Sequence, residues 1–258
     1  MKIPRSTQEM IPVKRILNDG TFVLDSGEYS KMFAFTDINY TELRDEEKMR
    51  RLVDYSALLN SIDKGIYAKI SIFFRPIRQE QFERDVLIPM NPEDELDDYR
   101  ENMNTVLREQ VRGTLGMTKQ AYLTITAGRR NDEDAAAFFA RVDGNLIGSF
   151  QALGVELRAV PLSERLRLLH DIYRPGLEET FRFDAHAEKK LGMNWKDSIA
   201  PLSAEALNSC TYLKIGGRCC KTLFLNAYPI YLNDRIVSDV ASIGKPMIFT
   251  IDFLPIPS

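Results

Sequence analysis

The chain has 258 residues, of which 44% are hydrophobic and 28% charged, with a formal net charge of -3. That balance describes an ordinary globular protein with enough length for one large domain or two small ones, and it excludes a general polyanion-binding protein. No apolar run approaches the roughly 18 residues that a membrane-spanning helix needs. The N-terminal Met1-Lys-Ile-Pro-Arg-Ser lacks the apolar core of a signal peptide, and three cysteines give no disulfide framework, as expected of a cytoplasmic protein.

From Val13 to Phe35 the chain reads as a β meander, with Asn18-Asp-Gly-Thr and Ser26-Gly-Glu supplying turns between three short strands. A helix from about Thr41 to Asn60 is expected to bury Met49, Leu52, Val53, Ser56 and Leu59, spaced for one face. Gly65 stops it, and Ile66–Arg75 alternates as a strand. An insertion follows. Gln79–Leu87 is a short helix, and Asn91 with Pro92 is expected to start a longer one running to about Arg112, ended by Gly113 and Gly116. Ala121–Thr126 is the clearest strand of the middle region. Asn131 then caps a helix whose stripe Ala135, Phe138, Phe139, Val142, Leu146, Phe150 and Leu153 is the strongest amphipathic pattern in the chain. Gly154 ends it, Val155–Val160 is a strand, and Ser163 is expected to cap a further helix with Leu166, Leu169 and Ile172/Tyr173 inward.

The order β-α-β, inserted helix, β-α-β predicts an α+β first unit over residues 1–175, ferredoxin-like with a helical insertion. Residues 176–209 carry weak patterning and read as a linker or covering segment. Residues 210–258 read as a second, smaller β-α-β unit: a strand at Lys221–Pro229, a helix from Asn233 to Val240, a stop at Gly244 and a strand at Met247–Leu254. Placing Gly65 over Gly244 without gaps brings Ile72, Phe74, Pro76 and Ile77 onto Ile251, Phe253, Pro255 and Ile256, which suggests that the units are related. The chain stops straight after that strand, as a piece cut before a further domain would.

Catalytic constellations are thin. Gly216-Gly-Arg-Cys-Cys-Lys221-Thr222 imitates a phosphate-binding loop, but Cys220 stands where the backbone needs glycine, and the residues after it continue as a strand rather than a helix. A hairpin turn at Gly216-Gly217 is the better reading. The two histidines, His170 and His186, have no second ligand at helical spacing, although Asp184-Ala-His186 could pair. Neither Cys219 nor Cys220 has a histidine nearby in sequence. Helix capping accounts for the acids of Glu93–Asp98. A basic concentration at Arg158, Arg165, Arg167 and Arg174, with Arg129-Arg130, is the candidate docking surface for another protein, or for single-stranded nucleic acid on a ferredoxin-like sheet. No catalytic, cofactor-binding or metal-binding residues are expected.

Phe35-Thr-Asp-Ile-Asn-Tyr40, Leu87-Ile-Pro-Met90, Asp97-Asp-Tyr-Arg-Glu101, Asp197-Ser-Ile-Ala-Pro201 and Ile215-Gly with Tyr228-Pro229 together resemble one family. It is the N-terminal region of the large conjugation ATPases of type IV secretion systems (the CagE/TrbE/VirB-type component), in the branch found on conjugative transposons of Gram-positive bacteria. The resemblance runs from about Pro4 to Pro255. It implies a non-catalytic adaptor that helps oligomerisation and docks a C-terminal motor on inner-membrane channel proteins during DNA transfer. It also implies a location in the cytoplasm, peripheral to the membrane. ATP and magnesium would then belong to the motor, whose Walker motifs have no counterpart in these residues.

Overall fold

In the computed structural model, residues 4, 6–37, 43–77, 79–110, 117–184, 190, 192, 194–207, 211–227, 239–240 and 242–255 are described. The strands are β1 (Val13–Ile16), β2 (Phe22–Leu24), β3 (Glu28–Phe35), β4 (Ile66–Pro76), β5 (Met117–Gly128), β6 (Leu157–Ala159), β7 (Ala204–Leu207), β8 (Tyr212–Ile215), β9 (Arg218–Cys220) and β10 (Met247–Phe253). The α-helices are α1 (Asp45–Asn60), α2 (Gln79–Asp85), α3 (Asp97–Gln110), α4 (Asp132–Ala152) and α5 (Leu162–Tyr173). Hydrogen bonding orders the larger sheet β1-β2-β3-β5-β4-β10, with β6 also on β3, while β7-β8-β9 form a separate sheet. The protein is therefore of the α+β class. Each crossover helix connects two strands that flank a third: α1 joins β3 to β4 across β5, and α4 joins β5 to β6 across β3.

The chain divides into two compact units, and neither is continuous in sequence. One comprises residues 1–68, 123–227 and 253–258; the other comprises 69–122 and 228–252. The boundaries expected at 175 and 209 do not coincide with these. The periodicity-based split followed chain order, whereas β4 and β5 each contribute residues to both units.

In the first unit the N-terminal meander forms as its turn residues dictate. β1 and β2 pair antiparallel, and β2 pairs antiparallel with the start of β3 through Phe22↔Ser30. Further along β3, Phe33–Phe35 pair antiparallel with Leu157–Ala159 of β6. Alternation along β3 sends Tyr29, Lys31, Phe33 and Phe35 to one face and Ser30 to the other. The first face meets α4. Phe35 packs on Phe150 at 5.5 Å, and the Lys31 ammonium sits near both the Phe33 and Phe139 rings while bonding Asp143 at 2.7 Å. Asn131 caps α4 as expected, its side chain accepting from the Asp134 N–H, while the Asp134 carboxylate accepts from the Arg130 N–H.

Ser30 faces α5. Here Ile11, Val13, Phe22, Leu166, Ile199 and Ala200 form a core cluster, with Phe181, Phe183 and Trp195 packed against it. Of the segment 176–209, expected as a linker or covering segment, Phe181, Phe183, Trp195, Ile199 and Ala200 thus cover or complete this core. Gln8, Asn194, Lys196 and Asp197 tie the segment to the N-terminus, with the Lys196 ammonium donating to Ile11 O at 3.0 Å. α5 begins at Leu162 with Pro161 in the N-cap position and no side-chain cap, so Ser163 lies inside the helix.

α1 shows the largest departure from expectation. Its inward face carries Arg51 and Leu58, not Met49, Leu52 and Val53. The Arg51 guanidinium donates to Ala152 O at 3.2 Å, at the carboxyl end of α4, where a cation satisfies an orphan carbonyl and the helix dipole together. That anchor rotates the apolar stripe outward.

The smaller sheet is a meander in which Leu207 faces Tyr212 and Ile215 faces Arg218 across the turn at Gly216-Gly217. Gly216 is left-handed at φ 57°, and the turn is a hairpin as expected. The strand expected at Lys221–Pro229 does not form over its described residues, 221–227, which join no ladder.

In the second unit, the hydrogen-bonded order is β5-β4-β10 over the residues that belong to it. The edge-on pair Phe73–Tyr122 at 5.3 Å and the ion pair Lys69–Asp252 at 3.3 Å link the strands. β10 therefore joins the larger sheet beside β4 instead of closing a separate β-α-β unit. Gly65 and Gly244, the two residues superposed in the repeat, both adopt left-handed φ, at 79° and 62°. The helix expected over 233–240 lies outside the described residues apart from Asp239 and Val240, as do Thr41, Gly113, Gly116 and Tyr228-Pro229.

Candidate interaction surfaces

The four arginines of the expected docking patch do not form one open surface. Arg158 makes a two-pronged bond to Glu164, at 2.8 and 2.9 Å. Arg174 donates to the carbonyls of Asp197 and Ala200, holding the core segment described above. Arg167 is half-buried, with its Nε enclosed and lacking a hydrogen-bond partner.

Arg165 departs furthest from the expectation, being only 5% exposed. Its guanidinium lies 3.8 Å from the centre of the Phe22 ring. It donates to Gly20 O at 2.9 Å, Ser30 O at 2.6 Å and Ser30 Oγ at 2.8 Å. Burial pulls this guanidinium down to about 9, with Asp19 opposing the shift, so it remains a cation at neutral pH. A planar fork that meets two carbonyls and a hydroxyl is a structural clasp, closed to a partner.

The remaining polar candidates also serve the fold. His170 is fully buried; its Nε2 lies 3.4 Å from the Thr180 hydroxyl and its ring packs edge-on against Phe181. Burial holds its pKa below the ordinary value, with Asp171 working against the shift. His186 and Cys210 lie outside the described residues, and Asp184 is exposed. Cys219 is exposed and Cys220 half-buried, on opposite faces of β9. Among the described residues, no three His, Cys, Asp or Glu side chains are grouped to hold a metal ion.

The acidic run near residue 94 builds a clamp. Arg100 bonds Asp94 and Asp97, and the Asn91 N–H donates to Asp97, so the loop 91–96 is fastened to the first turn of α3. The Arg100 guanidinium, with the Leu96 N–H, holds the Asp94 carboxyl down at about 2. α3 accordingly starts at Asp97 rather than at Asn91-Pro92. A second such group joins Arg15 and the Tyr29 hydroxyl to Asp132 at 2.7–3.0 Å, and Arg15 first, then Tyr29, keep that carboxyl at about 2.

What is open is apolar. On α1, Met49, Leu52 and Val53 are 62%, 55% and 63% exposed. On α3 of the second unit, Tyr99, Met103 and Val106 are 73%, 51% and 46% exposed, with Leu96 one turn earlier on the same side. Leu223 and Phe224, after β9, are almost fully exposed. Aligned apolar residues on one helix face are the pattern of a docking surface, whereas single exposed leucines need no explanation. The α1 stripe was visible in the sequence but was assigned to the core. The α3 stripe was missed, although its spacing of three, four and three residues was there to be found.

The architecture defines an α+β protein in which Arg158, Arg165 and Arg174 are engaged within the fold and α1 and α3 present apolar faces. A scan against protein-family models gives no match, and neither does a search of curated proteins. No helix among the described residues is long and apolar enough to cross a membrane.

Proposed function

We propose that this chain is a non-catalytic docking and oligomerisation module of a conjugation ATPase of the type IV secretion kind, built on a ferredoxin-like sheet. It works in the cytoplasm at the inner face of the membrane, docking the motor of that ATPase on inner-membrane channel proteins during DNA transfer. Chemistry, ATP and magnesium belong to the motor. The resemblance over Pro4–Pro255 motivates the reading. The observation that carries it is the exposed Met49-Leu52-Val53 face of α1, set against arginines committed to internal bonds. The same commitment weakens the alternative of a single-stranded nucleic-acid module, since phosphate binding needs available cations.

The test is association of the chain with inner-membrane channel proteins of a type IV secretion system, by two-hybrid assay and copurification. Association that Leu52→Glu weakens supports the proposal. Absence of any association, or micromolar ATP binding by calorimetry, overturns it, as does a gel shift with single-stranded DNA that weakens steeply with salt.

A further inference from the structure

From the outward face of α3 we infer a second docking site, in the second unit, whose occupant is a basic amphipathic helix of another protein. Leu96, Tyr99, Met103 and Val106 are exposed and spaced three, four and three residues apart, which is the seam of a coiled coil. The opposite requirement, an inward face, is met by other residues. Arg100 clamps Asp94 and Asp97, and buried Asn104 donates to Ile88 O at 2.9 Å and accepts from the Ile88 N–H at 2.8 Å. These bonds fix the rotation of the helix, so the seam is held outward.

Charge selects the occupant. On the open side of the seam, at about 100° per residue, lie Asp98, Asn102 and Glu109. The basic residues of α3 are elsewhere: Arg100 faces inward in its clamp, and Arg108 bonds Glu101 at 2.6 Å on the far side. The rim is therefore acidic. A second copy is disfavoured, because its α3 carries Asp98 and Glu109 beside the seam as well and adds no cation there to meet them. Like charges at such flanking positions repel. A helix with an apolar seam and lysine or arginine flanks satisfies both features.

This inference rests on the protein-docking reading but not on the identity of the channel proteins. The test uses the full chain and two synthetic amphipathic helices, each with leucine at the seam, one flanked by lysine and the other by glutamate. Fluorescence anisotropy is expected to show binding of the lysine peptide, weakened at least about tenfold by Met103→Glu. Asp98→Lys with Glu109→Lys weakens the lysine peptide and favours the glutamate one, while Leu52→Glu on α1 changes neither.

Equal binding of both peptides, or binding indifferent to Met103→Glu, overturns the assignment. So does a dimer in sedimentation that Met103→Glu dissociates, which would give the face to a second copy. A lowered urea midpoint for Met103→Glu also overturns it, by showing that the seam packs within the chain. Channel association without peptide selectivity sinks the α3 site alone. Peptide selectivity without channel association upholds the site and sinks the channel assignment.

Discussion

Replacing Arg165 tests the reassignment of the basic patch most directly. Arg165→Ala removes three charge-assisted hydrogen bonds and leaves Gly20 O and Ser30 O without their donor. Each buried carbonyl so orphaned costs about 1–3 kcal/mol. Loss of the guanidinium over Phe22 adds about 2 kcal/mol for a desolvated cation–π contact. Against these losses stands relief from burying a cation, worth several kcal/mol. These losses, about 4–8 kcal/mol together, less several for that relief, leave a net destabilisation of about 1–5 kcal/mol. Arg165→Met keeps most of the volume and the contact with Phe22, and should cost about 1–3 kcal/mol less than alanine. The single tryptophan, Trp195, lies 6.3 Å from Phe22 and reports on this cluster, so urea unfolding followed by its emission is the assay. An alanine variant within about 0.5 kcal/mol of the parent, as for an ordinary surface substitution, would refute the reasoning and restore Arg165 as a docking residue.

Gly20 stands at φ +86°, and a Cβ there would lie 2.6 Å from Val160 O, so Gly20→Ala should cost at least about 1–3 kcal/mol of backbone strain before that clash is relieved. The urea midpoint checks it. Lys31 and Asp143 form a largely enclosed pair at 2.7 Å. Lys31→Ala and Asp143→Ala should each cost about 2–4 kcal/mol, with a double-mutant cycle showing strong coupling. His170 has a folded pKa below its unfolded value of about 6.5. The unfolded chain therefore takes up a proton that the folded chain resists, and stability present above that pH is lost as pH falls below about 6.5. Urea midpoints should drop from pH 7.5 to 5.5 in the parent and less in His170→Phe.

Local pattern was readable wherever local chemistry decided the outcome. Glycine and asparagine turns set the meander of β1 to β3, the phenylalanine stripe set α4, and Gly216-Gly217 set the hairpin. The failures share a different cause: a long-range contact overrode the pattern. Arg51 reaches the end of α4, about a hundred residues away, and turns α1 so that its apolar stripe faces out. Arg165 looks like a surface residue until the carbonyls of Gly20 and Ser30 surround it. The weakly patterned stretch 176–209 holds Ile199, Ala200 and Trp195 in the core because Arg174 and the N-terminal segment fasten it there. Periodicity measures how a segment would bury itself alone and carries no information on which distant group will claim one of its faces.

The distribution of charge also constrains how this protein can recognise anything. A guanidinium clasping two carbonyls inside the fold has no capacity left for a phosphate or carboxylate, and releasing it would open the core. The same holds for Lys31 on Asp143 and for Arg174 on the segment at 197–200. The exposed apolar stripes remain open to recognition, and they carry a hazard, since an open stripe invites self-association. On α3 the acidic rim answers that hazard by repelling a second copy while attracting a basic helix, so one feature gives both solubility and selectivity. On α1, Arg50 and Asp54 of opposite sign flank the stripe, and that face lacks an equivalent single-sign rim. The two faces should therefore differ in salt response: binding at α3 weakens as ions screen the rim, whereas binding at α1, driven by apolar burial, holds.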